Sequence, residues 1–145
     1  MKRRVLAGLV LLASLTACVP ASPDADTYDD KAALTVGSTI SEVRTVQRLL
    51  ELLYDDRMLR PTAVAQLRYS EDALDTATKA FTELNQPPSR DRLATRVDTL
   101  LGDAGDLLAD ARIAVERRHR GQYPSLAGDL GRLASTLEQV EGRLS

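Results

Sequence analysis

The stretch SRDRLATRVDTLLGDAGDLLADARIAVERRHR, residues 89–120, decides the fold class. Its apolar residues Leu93, Val97, Leu100, Ala104, Leu107, Ala111 and Ala114 are separated by alternating steps of four and three. That is the period of one helix face, and Leu101, Leu108 and Val115 form a second row beside it. The combined face is wider than the seam of a two-stranded coiled coil, so the helix needs more than one neighbour. Ser89 is placed to cap its start. Arg117, Arg118 and Arg120 suit its negative end, and Gly121 suits the residue beyond its last turn.

Downstream, Pro124-Ser125 opens a second pattern of the same kind: Leu126, Leu130, Leu133, Leu137, Val140 and Leu144. Upstream, Pro61 stands where a first-turn proline belongs. Val64, Leu67, Leu74, Ala77, Phe81 and Leu84 follow, until Pro87-Pro88 forbids further helix. Before that, Val36, Ile40, Val43, Val46, Leu50 and Leu53 form a stripe with Leu49 beside it. Thr27 is placed to cap its start, with Asp30 as a weak capping-box partner, and Gly37-Ser38 predicts a late start or a bend. The segments predicted as helices are about 29–56, 61–85, 89–120 and 125–144. Their short connections, 56–60, 85–88 and 121–123, favour antiparallel neighbours. The expected fold is therefore all-α, an antiparallel up-down-up-down four-helix bundle with helices roughly 30–45 Å long. The alternative is a three-helix bundle with a loosely attached first or fourth helix.

The beginning of the chain has a different character. Met1-Lys2-Arg3-Arg4 is a positive cluster, and residues 5–13 are apolar apart from Gly8. Small residues follow, which is the build of a secretory signal peptide. The apolar run is roughly half the ~20 residues that span a bilayer. Leu15-Thr16-Ala17-Cys18 resembles the bacterial lipobox. That resemblance implies a diacylglycerol thioether on Cys18 and cleavage just before it. The expected signal is residues 1–17, lipidation is at Cys18, and membrane lipid is the first partner. Two acyl chains anchor stably where one binds marginally. Residues 18–28 then read as the lipid-bearing cysteine and a Pro/Ala/Ser/Asp linker, reaching at most roughly 30 Å.

Removal of the signal leaves 128 residues, one domain in size. Lys2, Arg3 and Arg4 leave with it, so 16 basic and 21 acidic residues remain, a net charge of −5. Mild acidity argues against a nucleic-acid partner. With Cys18 the only cysteine, no intramolecular disulfide is available, and packing alone must hold the fold. One Phe, four Tyr and no Trp make a carbohydrate platform improbable.

Motifs for chemistry are weak. Glu116 and His119 have the Glu-x-x-His spacing of di-metal bundles, but those sites need two such pairs, and arginines flank this one. Asp103, Asp106 and Asp110 share a helix face. Ion pairing with Arg44, Arg48 or Arg132 explains Asp103 and Asp110 better than a hard cation does. Gly102-x-x-Gly105 follows no strand, so it is no phosphate loop and suggests close helix approach or a slight bend. Tyr54, Tyr69 and Tyr123 read as helix-edge residues. Residues 117–120 could meet anionic lipid or wall polymer, although complementing the helix dipole is the simpler account. No catalytic, cofactor or metal residue is assigned, and enzymatic activity is not expected.

Tyr28-Asp29-Asp30-Lys31, Ile40-Ser41-Glu42-Val43-Arg44-Thr45, Gln86-Pro87-Pro88 and Asp110-Ala111-Arg112-Ile113-Ala114 together resemble a group of small uncharacterised lipoproteins of high-GC Gram-positive bacteria. The resemblance implies an extracytoplasmic, membrane-anchored protein and carries no activity with it. The function expected is a protein-interaction or accessory module of the cell envelope with an envelope protein as partner. The alternative is a carrier of lipid or a small apolar ligand, with room left by Ala104, Ala111 and Ala114.

Overall fold

The apolar stripes fold into four helices. In the computed structural model, which describes residues 24–144, these are α1 (Ala25–Tyr54), α2 (Arg60–Thr82), α3 (Asp91–Glu116) and α4 (Tyr123–Glu141). Short 3-10 turns, Pro88–Arg90 and Arg120–Gln122, lead into α3 and α4, and no strand occurs among the described residues. The signal, Leu15, Thr16, Ala17, Cys18 and linker residues 19–23 lie outside the described residues. Among those described, no helix is long and apolar enough to cross a membrane.

The helices form an antiparallel bundle running up, down, up, down. The broadest interface joins α1 to α4, followed by α2–α3 and α1–α2, and α1 also meets α3 across the bundle. Both outer helices are therefore integral to the core, which rules out a three-helix bundle with a loose fourth element.

α1 starts earlier than expected. Asp24, not Thr27, is its cap: the Asp24 carboxylate accepts the Thr27 amide N–H at 2.8 Å. Helix thus takes over residues read as linker. α1 also runs unbroken through Gly37. A Cβ built on Gly37 would lie 2.7 Å from Oε1 of Glu141, so this glycine marks a close approach of the end of α4 and not a bend.

The core is one continuous cluster drawn from all four helices. On α3 it takes in the broad two-row face, with Val97, Leu100, Ala104, Ala111 and Ala114 of the first row buried, and leans toward the second row. Leu101, Leu108 and Val115, the flanking row, are at most 2 % exposed, whereas Leu93 and Leu107 are only partly covered. The interface with α2, broader than that with α4, draws the buried face toward the flanking row. Near the start of α1 the rings of Tyr28 and Phe81 lie 5.6 Å apart, tilted by 47°. Arg90 makes two 2.7 Å hydrogen bonds to the Asp29 carboxylate beside them, which fixes the α2–α3 connection against α1.

Both ends of α3 also depart from expectation. Ser89 makes no cap hydrogen bond and sits within the 3-10 turn before α3. Gly121 does not end α3, because the helix stops five residues earlier, at Glu116. There Arg118 takes a left-handed conformation, φ 60°. His119 N–H reaches back to the Ala114 carbonyl at 2.8 Å, and Arg118 N–H to Val115 at 3.2 Å. α1 ends in the same Schellman pattern, with Asp56 at φ 56°, Arg57 N–H on the Leu52 carbonyl at 2.8 Å and Asp56 N–H on Leu53 at 3.2 Å. Both turns place a charged residue where glycine is cheapest.

Candidate interaction surface

Helix order brings residues 55–60 and 117–122 together at one end of the bundle. This end, here called the tip, is opposite the start of α1. Arg120 joins its two loops. Its guanidinium donates to both Asp56 carboxylate oxygens, at 2.9 and 2.7 Å, and to the Tyr54 carbonyl, and it lies 5.5 Å from the centre of the Tyr54 ring. Complementing the dipole of α3 is therefore only part of the work of this arginine.

Next to that junction runs an open groove of about 420 Å³ between α1 and α4. Leu50, Tyr54, Tyr123 and Ala127 give it an apolar part, beside the polar Gln47, Arg48, Glu51 and Asp55. Tyr123 is buried, not at an edge, and burial raises its phenol above the ordinary value while nearby Arg60 and Arg120 oppose that rise. Tyr54 is 46 % exposed and Leu59, in the loop, 76 % exposed, a large share of apolar surface for one end of a small domain.

Charge divides between the two ends. The tip segments hold five arginines (57, 60, 117, 118 and 120) and two aspartates (55 and 56), a net of +3. Arg57, Arg117 and Arg118 are exposed and take part in no ion pair among the described residues. At the other end, residues 24–31, 79–92 and 138–144 hold eight acidic and five basic residues, a net of −3.

The fold separates the other candidate residues. Glu116 ends α3, and the left-handed Arg118 turns His119 away from its helical register, so the Glu-x-x-His spacing forms no shared face. Glu116 accepts instead from Arg68 at 3.0 Å and Arg112 at 3.2 Å. Arg112 also donates to both Glu71 oxygens, at 3.0 and 2.8 Å, in a network that ties α2 to α3. The Arg68 hydrogen bond, helped by Arg112, holds the Glu116 carboxyl below its ordinary value. No group of three or more His, Cys, Asp or Glu among the described residues is placed to hold a metal ion.

Asp103, Asp106 and Asp110 lie exposed on α3. The arginines expected to pair with this face are engaged elsewhere: Arg44 with Glu138 at 2.8 Å, Arg48 with Glu51 at 2.7 Å, and Arg132 with Asp129. Arg48 and Arg132 pair within their own helices, three residues away in each case, and only the Arg44–Glu138 pair, between α1 and α4, depends on how the helices are rotated. Gly102 and Gly105 admit no close helix, since a Cβ on either would meet nothing within 4 Å. They line a shallow groove floored by Leu74 and Leu101. Ala104, Ala111 and Ala114 are buried within the continuous core, and Tyr69 is exposed on α2. Spacing alone did not reveal the tip, because its charges come from segments about 60 residues apart that only the topology unites.

Comparison with known protein families, with curated proteins and with solved structures gives no match.

Proposed function

We propose that this chain is a lipid-anchored extracytoplasmic lipoprotein whose helical bundle is a protein-interaction module of the cell envelope. Cys18 is the proposed anchor, processed as Leu15-Thr16-Ala17-Cys18 implies. The resemblance to small lipoproteins of high-GC Gram-positive bacteria points to the same compartment.

One observation carries the reading. α1 is capped by Asp24, only six residues after Cys18, and then runs without interruption for 30 residues. The extended tether spans at most about 20 Å, and the helix carries the tip about 45 Å further. A bundle built this way holds one end by the lipid and presents the other, with its tyrosines and arginines, to neighbours. Tyr and Arg are the side chains that most often dominate protein interfaces.

Radiolabelled palmitate or an alkyne fatty acid tests the anchor. The parent chain should incorporate label and fractionate with membranes, and Cys18→Ala should lose the label and appear unprocessed or soluble. Normal processing and unchanged membrane retention in Cys18→Ala would refute the anchor. Crosslinking and pull-down from solubilised membranes tests the module. Recovery of no specific partner across several growth conditions counts against it.

A further inference from the structure

We propose that the tip docks an acidic segment of a partner protein, with an apolar side chain of that segment seated in the α1–α4 groove. The proposal deepens the interaction-module reading and rests on it.

Charge is the first argument. A chain that is acidic overall concentrates a net +3 on residues 55–60 and 117–122. Asp56 answers Arg120, whereas Arg57, Arg117 and Arg118 are exposed and have no ion pair among the described residues. Helix dipoles do not account for the cluster. The tip gathers the C-termini of α1 and α3 and the N-termini of α2 and α4, whose half-charges of opposite sign offset one another. The bundle alone leaves this positive field unbalanced, and a negatively charged partner balances it.

Shape is the second argument, and it selects among anions. The field adjoins an apolar groove through Arg120, which touches Tyr54 on the groove wall, and Leu59 stands exposed in the same loop. A phosphate polymer has no use for an apolar groove. The leaflet holding Cys18 faces the end of the bundle with a net of −3, and the tip stands several Debye lengths of ~10 Å away from it. An acidic peptide with a leucine or aromatic residue uses both features.

The test places a photo-crosslinking amino acid at Leu59 of the full chain in living cells, with Leu34, 68 % exposed near the start of α1, as the control position. Adducts from position 59 should map to partner peptides with an excess of Asp and Glu. The double variant Arg57→Glu, Arg118→Glu should cut their yield at least tenfold, and Arg57→Ala, Arg118→Gly, which keeps the turn, should cut it less. Melting temperatures of the variants, measured on the same chains, show that the fold is retained. Neutral or basic peptides, adducts only to lipid or phosphate polymer, no adduct at all, equal capture from position 34, or yields indifferent to both variants would each overturn the proposal. Membrane fractionation of the same cells separates the two readings: a soluble chain that still captures acidic peptides refutes the anchor alone, and an anchored chain that does not refutes the docking alone.

Discussion

Arg120 grips Asp56 with two guanidinium nitrogens, at 2.9 and 2.7 Å, across 64 residues of sequence. The pair closes the α1–α2 loop against the α3–α4 loop and keeps two Schellman turns side by side. Both side chains are more than half exposed, so the global stability at stake is small. The local effect should be clear. Arg120→Ala should speed amide hydrogen exchange at Arg57 and His119, whose N–H groups close the two turns, and leave exchange in the middle of α3 unchanged. Arg120→Lys should not restore the protection, because an ammonium lacks the planar fork that meets both carboxylate oxygens. Full rescue by lysine would show that charge alone suffices.

The two glycines of α3 give a stability prediction of definite sign. Helix interiors disfavour glycine, and nothing in the bundle obstructs a methyl group at Gly102 or Gly105. Gly102→Ala and Gly105→Ala should each raise the unfolding free energy by about 0.5–1 kcal/mol, additively within error. Urea denaturation measures this. Destabilisation by either substitution would mean that something packs against this face.

The buried face of α3 gives a second. Leu108 is fully buried and Leu107 is not. Leu108→Ala should cost about 2–5 kcal/mol, and Leu107→Ala roughly half as much or less, in keeping with the smaller area it buries. Equal costs would mean that Leu107 is as well covered as Leu108. At Ser70, fully buried with no hydrogen-bond partner for its hydroxyl among the described residues, alanine should be neutral or stabilising by up to about 1 kcal/mol.

Acid should weaken the fold through carboxylates held below their ordinary range. Glu116, bonded to Arg68 and Arg112, and Asp24, bonded to the Thr27 amide, both have depressed values when folded. The folded chain then binds fewer protons than the unfolded chain. The stability these groups contribute is complete above the ordinary carboxylate range of ~3.9–4.3 and disappears as pH falls through the lower folded values. Thermal midpoints should therefore drop steadily from pH 5 toward pH 2. Glu116→Gln should fall below the parent near neutrality and converge on it at the acid end. A constant gap between the two would assign the effect of Glu116 to packing.

Sequence spacing carried the number of helices, their order and most of their apolar faces. Repeats such as Leu130, Leu133 and Leu137 can be covered in only one way. Helix ends were less legible. Thr27, Ser89 and Gly121 are all suitable end residues by type, but Asp24, an equally suitable cap three residues before Thr27, starts α1, and a left-handed Arg118 follows the end of α3 where turn geometry outweighs local preference. Ion pairs between helices were least legible: Arg44 finds Glu138 only once α1 and α4 are packed, whereas Arg132 and Asp129 are three residues apart on one helix. The tip depends on both kinds of information, with charges read from sequence and proximity supplied by the fold.

The broadest interface, between α1 and α4, has a consequence for how the chain is made. It joins the first helix to the last, whereas α2 and α3 are neighbours in sequence and can pair as a hairpin at once. Contacts between distant segments wait for loop closure. During synthesis, which runs from the N-terminus, α1 lacks its broadest interface until α4 has been made. The native state is thus completed by the last turns of the chain, and until then the long first helix is the stretch most in need of protection from other nascent chains.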